Sequence, residues 1–121
     1  MRNILIIEDE KILAEMYKDK FTRVGFNVIL ASSAEKGISL AKEKKPDLII
    51  LDILLPRENG IDFLKKLKED SEASSIPVIV LSNYNNSEAK KAAGELGVKD
   101  YLIKTNYTPQ QIVEKIKEYL P

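Results

Sequence analysis

Leu48-Ile49-Ile50-Leu51-Asp52 is an unbroken run of four large apolar residues that ends on a carboxylate. It is bounded upstream by Lys44-Lys45-Pro46. A run this short and this apolar predicts a strand buried on both faces, the kind found in the middle of a parallel sheet. A carboxylate is costly to bury unpaired, so Asp52 belongs where the strand leaves the core, at its C-terminal end. In open α/β sheets that end is where ligands bind. The pattern recurs at the start of the chain, where Ile4-Leu5-Ile6-Ile7 runs straight into Glu8-Asp9-Glu10. Two apolar strands that each run into acid predict one acidic pocket with Asp52 at its centre.

Around these two strands the chain alternates between strand and helix. The first strand covers residues 3–7, and Ile12, Leu13, Met16, Tyr17, Phe21 and Val24 then give the helical spacing of one buried face. Gly25 is placed to end that helix, and Phe26 to Leu30 reads as the second strand. Ser32 and Glu35 have capping-box spacing and predict the start of a second helix, with a small inner face of Ala34, Gly37, Ile38 and Ala41. Lys45-Pro46 closes it. After the strand at 48–51 and the loop Pro56-Arg57-Glu58-Asn59-Gly60, Ile61, Leu64 and Leu67 stripe a third helix. Pro77 to Leu81 is the fourth strand, with Pro at its first position, where it is tolerated. A fourth helix from about Ser87 to Leu96 has only Ala89, Ala92, Ala93 and Leu96 to bury, and is expected to be the least anchored. Gly97 ends it, and Asp100 to Ile103 forms the fifth strand, leading into Lys104. Thr108-Pro109-Gln110-Gln111 marks the last helix start, followed by an apolar face of Ile112, Val113, Ile116, Tyr119 and Leu120.

Five strand–helix alternations predict a single (βα)5 domain: a five-stranded parallel sheet with helices on both faces and right-handed crossovers. The first strand is too apolar to be an edge. Strand order 2-1-3-4-5, the flavodoxin-like arrangement, sets strands one and three side by side at the switch point, so that Glu8, Asp9 and Asp52 share one crevice.

Composition narrows the chemistry. The 121 residues fit one domain, 1–121, and 44% apolar content supplies a core. Nineteen Lys plus Arg balance nineteen Asp plus Glu, which argues against binding nucleic acid through a basic face. There is no apolar run of membrane-spanning length and no signal-peptide pattern, so a cytoplasmic location with no membrane insertion is expected. The chain has no Cys and no His, which removes disulfides, thiol nucleophiles, Ser–His catalysis and imidazole metal sites. Carboxylates, lysines, hydroxyls and backbone remain, and all-oxygen sites favour hard cations such as Mg²⁺. At an effective dielectric of about 20, each close carboxylate pair costs on the order of 4 kcal/mol, and a divalent cation reverses that sign. Ser82 and Lys104 leave the fourth and fifth strands on the same rim, and both are suited to hold oxygens of a transferred phosphoryl group. Asp is a competent phosphoryl acceptor.

The ordered set Glu8-Asp9, Asp52-Ile53-Leu54-Leu55-Pro56, Gly60, Ser82, Tyr101 and Lys104 resembles the response-regulator receiver domains of two-component signalling over essentially the whole chain. The resemblance implies that Asp52 is the phosphoacceptor and that Asp9, Glu8, Asp52 and the Leu54 carbonyl hold Mg²⁺, with Mn²⁺ as a substitute. It implies that Lys104 and Ser82 bind phosphoryl oxygens, that Tyr101 is an aromatic switch, and that Leu54 and Tyr84 modulate the phosphoryl lifetime. The implied partners are a histidine kinase or phosphotransfer protein as donor and a downstream protein on the face of helix four, strand five and helix five. The domain itself is then a monomer or a phosphorylation-dependent dimer, catalysing its own phosphotransfer rather than turning over as an enzyme.

Two departures from the family pattern stand out. Thr105 replaces the usual Pro after the lysine, and a non-proline cis bond costs roughly 2.5–4 kcal/mol, so Lys104–Thr105 is expected to be trans. The amide Asn83 stands where small residues are common. Rival readings fit less well. A haloacid-dehalogenase-like phosphatase places its nucleophile after the first strand, with a second Asp two residues on, whereas position 54 here is Leu. A nucleotide- or flavin-binding flavodoxin-like protein needs a Ser/Thr/Gly loop after strand one, where Glu8-Asp9-Glu10 stands instead. A pseudo-receiver, a binding module without phosphorylation, remains the alternative. Because the chain ends one helix after Lys104, it reads as a stand-alone receiver or a fragment of a longer regulator.

Overall fold

A computed structural model describes residues 2–120. Its elements in order are β1 (Asn3–Ile7), α1 (Lys11–Arg23), β2 (Asn27–Ala31), α2 (Ala34–Lys44), β3 (Leu48–Leu51), α3 (Gly60–Glu69), β4 (Val78–Ser82), α4 (Ser87–Glu95), β5 (Asp100–Ile103) and α5 (Pro109–Glu118). Single 3₁₀ turns at Ala73–Ser75 and Lys104–Asn106 lie between them. The strands form one parallel sheet of order β2-β1-β3-β4-β5, as expected. Alternate residues of the central strands feed two cores. Leu5, Ile7, Ile49, Leu51, Val78 and Val80 pack under α2, α3 and α4. Ile4, Ile6, Leu48, Ile50, Ile79 and Leu81 pack under α1 and α5. This two-sided burial is why the strand sequences are continuously apolar rather than alternating. Each such side chain contributes about 1.5–3 kcal/mol when fully buried.

Helix ends follow local chemistry, with corrections to the reading above. Ser33, not Ser32, caps α2, its hydroxyl accepting from the Lys36 N–H, because the chain leaves extended conformation only at Ser33. Thr108 and Gln111 form the expected capping box on α5. Gly25 and Gly97 take positive φ and end α1 and α4. Ile12 and Val24, read as part of the buried face of α1, are exposed, at 89% for Ile12. The buried face is set by Ala14, Tyr17 and Phe21; Ile12 lies around the helix from it, and Val24 lies past the last helical residue. Ile61 is only half-buried, and Phe63 takes the fully buried place in α3. Tyr119 is also exposed, and its hydroxyl donates to Asp100 Oδ2 at 2.9 Å. The Lys104–Thr105 bond is trans, as are all peptide bonds of the described residues.

The fourth helix is thinly anchored, with Ala89 and Ala93 as its buried residues. Gly94 sits inside it, and a Cβ placed there would touch nothing within 4 Å. Its absence of a side chain therefore weakens the helix without serving packing. Gly94→Ala is expected to stabilise the fold by about 0.5–1 kcal/mol, read as a raised urea midpoint at unchanged slope. An unchanged or lowered midpoint contradicts this account of α4.

Candidate functional site

The switch point of the sheet builds the site. Parallel pairing sets Ile7 of β1 beside Leu51 of β3, so the next residues, Glu8 and Asp52, emerge at the same level. Their backbones are tied down on both sides: Glu8 N–H donates to the Ala31 carbonyl at 3.0 Å and Asp52 N–H to the Ile7 carbonyl at 3.1 Å. Glu8, Asp9 and Asp52 each offer an oxygen within 4.8 Å of the others, so the acids singled out in the sequence do converge. Glu8 and Asp52 are buried, and Asp9 is open to solvent.

The cation that balances this cluster is Lys104. Its ammonium donates to Asp52 Oδ2 at 3.0 Å and also to Glu8 Oε1, with only 10% of its side chain exposed. Ser82, the last residue of β4 and fully buried, donates its hydroxyl to Asp52 Oδ1 at 2.7 Å. The Leu54 N–H reaches the same oxygen at 3.1 Å. Leu54 is 53% exposed and Tyr84 is 37% exposed. A second chain of bonds runs outward from Ser82. Its Oγ accepts the Tyr84 N–H at 3.1 Å, and the Tyr84 carbonyl accepts the Tyr101 hydroxyl at 2.6 Å. The side chains of Glu8, Asp9, Asp52, Ser82, Tyr101 and Lys104, with the backbones of Leu54 and Tyr84, therefore belong to one constellation. The link between Ser82 and Tyr101, however, is the backbone of Tyr84, which leaves no residue-type signal to read.

Burial pushes the Glu8 carboxyl above its ordinary value, and the hydrogen bond and charge of Lys104 offset only part of this. Burial alone would lower the Lys104 ammonium, but Glu8 and Asp52 outweigh it and hold the group above its ordinary value. Burial and the charge of Asp52 raise the Tyr101 phenol, which stays neutral near pH 7. The donor set suits a hard divalent cation: three carboxylates on one side, and an exposed Asp9 leaving room for water.

Comparison with known proteins agrees with this geometry. Residues 4–117 match the family model of the response regulator receiver domain. The chain is 35% identical over 116 residues to the phosphate regulon transcriptional regulatory protein PhoB of Escherichia coli, covering 96% of this chain and 50% of that protein. It is 31% identical over 119 residues to the polar-differentiation response regulator DivK of Brucella ovis, covering 98% of this chain and 96% of that protein. The crystal structure of a CheY-like response regulator receiver domain protein from Methanospirillum hungatei superimposes with a TM-score of 0.90 at 26% identity, over 99% of this chain and 94% of that one. This chain belongs to the response regulator receiver domain family. It spans about half the length of PhoB and almost all of DivK. Its acid cluster is compatible with divalent-metal binding and aspartyl phosphorylation. Among the described residues no helix is long and apolar enough to cross a membrane.

A carboxyl raised in the folded state costs the fold stability as pH climbs from its ordinary value, 4.5 for Glu8, through the raised one. Glu8→Gln removes that cost. In metal-free buffer the melting temperature of the parent minus that of Glu8→Gln is expected to fall as pH rises from about 4 to 7. A flat or rising difference refutes the assignment.

Proposed function

We propose that residues 1–121 act as one phosphoacceptor receiver in a two-component or phosphorelay system, and that Asp52 accepts the phosphoryl group. The observation that supports this most is the setting of Asp52. One oxygen faces the Lys104 ammonium, the other faces Ser82 and the Leu54 amide, and Glu8 and Asp9 stand beside it. The donor is a phosphohistidine on a histidine kinase or phosphotransfer protein. A carboxylate oxygen of Asp52 forms the new O–P bond as the P–N bond breaks, and the electron pair leaves with the imidazole, which takes up a proton. Glu8, Asp9, Asp52 and the Leu54 carbonyl are the groups we assign to Mg²⁺, with Mn²⁺ as a substitute. When bound, the metal neutralises charge on the reacting oxygens.

Lys104 has a second task. Before transfer it balances Glu8 and Asp52; during transfer it turns to a phosphoryl oxygen that has taken up part of that negative charge. Ser82 exchanges its bond to Asp52 for one to the phosphoryl group. Because Ser82 Oγ also holds the Tyr84 amide and Tyr84 holds Tyr101, that exchange displaces the β4–α4 loop and biases the ring of Tyr101. The surface of α4, β5 and α5 is then the region that changes for a downstream protein, either within a monomer or through a phosphorylation-dependent dimer, in the cytoplasm. Thin anchoring of α4 supports that assignment.

Intact mass after incubation with acetyl phosphate and Mg²⁺ tests the reading. One phosphoryl group is expected on the parent, with none on Asp52→Asn and none in EDTA. A parent that stays unmodified under rapid quenching indicates a pseudo-receiver. The exposed Leu54 and Tyr84 have backbones bonded into the site, and neither side chain can act as a base for water, so a long phosphoryl lifetime is expected. Replacing them together, Leu54→Asn with Tyr84→Ala, is expected to speed loss of the phosphoryl group. An unchanged or slower loss removes these residues from that role.

A further inference from the structure

Asp52 must be held in register with Lys104, Ser82 and the neighbouring acids, and its strand ends one residue before it. The Asp52 amide is anchored to β1, but the next three residues leave the sheet. Their anchor is the start of α3. Asn59 caps that helix by accepting the Asp62 N–H, and the Gly60 N–H donates to the Ile53 carbonyl at 2.8 Å. The Leu55 N–H shares the same carbonyl at 3.1 Å. A Cβ on Gly60 would lie 2.8 Å from Ile53 Cα, 2.9 Å from the Asp52 carbonyl oxygen and 2.9 Å from Ile53 Cδ1. Two of those three atoms are backbone and cannot turn aside, and Ile53 is itself buried in the core. Gly60 does not have the positive φ seen at Gly25 and Gly97, so space rather than backbone conformation demands the missing side chain. The segment displaced by any added atom is the one that carries the Asp52 carboxylate and the Leu54 amide bonded to it.

We propose that Gly60 is a positioning residue for the phosphoacceptor: its bare Cα lets α3 seat directly on the Asp52–Ile53 backbone and fixes where the Asp52 carboxylate points. This rests on the phosphoacceptor reading above. Gly37 supplies the control. A Cβ there would also clash, at 2.5 Å from Ile7 Cδ1 and 3.2 Å from Phe63 Cε2, but against side chains only. Parent, Gly60→Ala and Gly37→Ala are compared below their melting temperatures for Mg²⁺ affinity by calorimetry and for the rate of phosphorylation by acetyl phosphate. Gly60→Ala is expected to slow phosphorylation by about 10-fold to 100-fold and to weaken Mg²⁺ binding. Gly37→Ala is expected to lose thermal stability while keeping both. Should Gly60→Ala not fold, the parent decides: on Mg²⁺ titration its Gly60 amide resonance is expected to shift with the same midpoint as that of Leu54. Phosphorylation by Gly60→Ala within about twofold of the parent, or a Gly60 amide indifferent to Mg²⁺, overturns the proposal. A parent that takes no phosphoryl group sinks the phosphoacceptor reading instead, and the Mg²⁺ measurements then judge Gly60 alone.

Discussion

Two carboxylates that leave adjacent strands at the same level cannot both remain charged and dry unless a cation lies between them. Here that cation is the Lys104 ammonium, shared between Asp52 and Glu8. The constraint is severe because the site is buried: the desolvation that raises Glu8 is the same desolvation that would drive the proton off Lys104 if its partners were absent. Glu8 and Asp52 together hold the Lys104 ammonium, and Lys104 offsets part of the cost of burying Glu8. Such an arrangement is stable yet sensitive to any new charge, since a divalent cation or a phosphoryl group redistributes what the ammonium must balance. Lys104 directly follows β5 and opens a 3₁₀ turn through a trans bond to Thr105, and with Thr in the place of the usual proline it still reaches both acids.

The sheet makes this meeting unavoidable. Leu48 to Leu51 and Ile4 to Ile7 are apolar on both faces, which places β3 and β1 inside the sheet, and their pairing carries Ile7 and Leu51 to the same height. An acid immediately after each run must then face its neighbour. That is why strand order and acid pocket were both legible in the sequence: one pattern of residues encodes both. The same holds for Ser82 and Lys104, which mark the ends of β4 and β5. The capping box at Thr108 was legible because its atoms belong to side chains with few other uses.

Where reading the sequence fell short, the deciding information is not carried by residue type. Ile12 belongs by composition to a buried stripe, but the face of α1 is fixed by where Ala14, Tyr17 and Phe21 meet the sheet, and Ile12 is left outside. Ser32 and Ser33 offer the same hydroxyl one residue apart, so only the backbone angle at which extended chain gives way to helix selects the cap. The path from Ser82 to Tyr101 runs through an amide and a carbonyl that any residue but proline at position 84 would supply.

That last path links the buried acid site to the surface. Ser82 Oγ is at once a donor to Asp52 and an acceptor from the loop, so it cannot change one bond without disturbing the other. Beyond the loop, Tyr101 is half-buried, with the Lys90 ammonium 5.9 Å from its ring centroid, and α4 rests on alanines. A net hydrogen bond is worth about 0.5–1.5 kcal/mol, too little to move a well-packed helix but comparable to what holds a thinly packed one. On the side of α3, Phe63, Leu64 and Leu67 are locked in the core beside the strand that carries Asp52. On the side of α4 the packing is thinner. The division follows from the side chains each helix has to bury, alanine in one case and large apolar groups in the other.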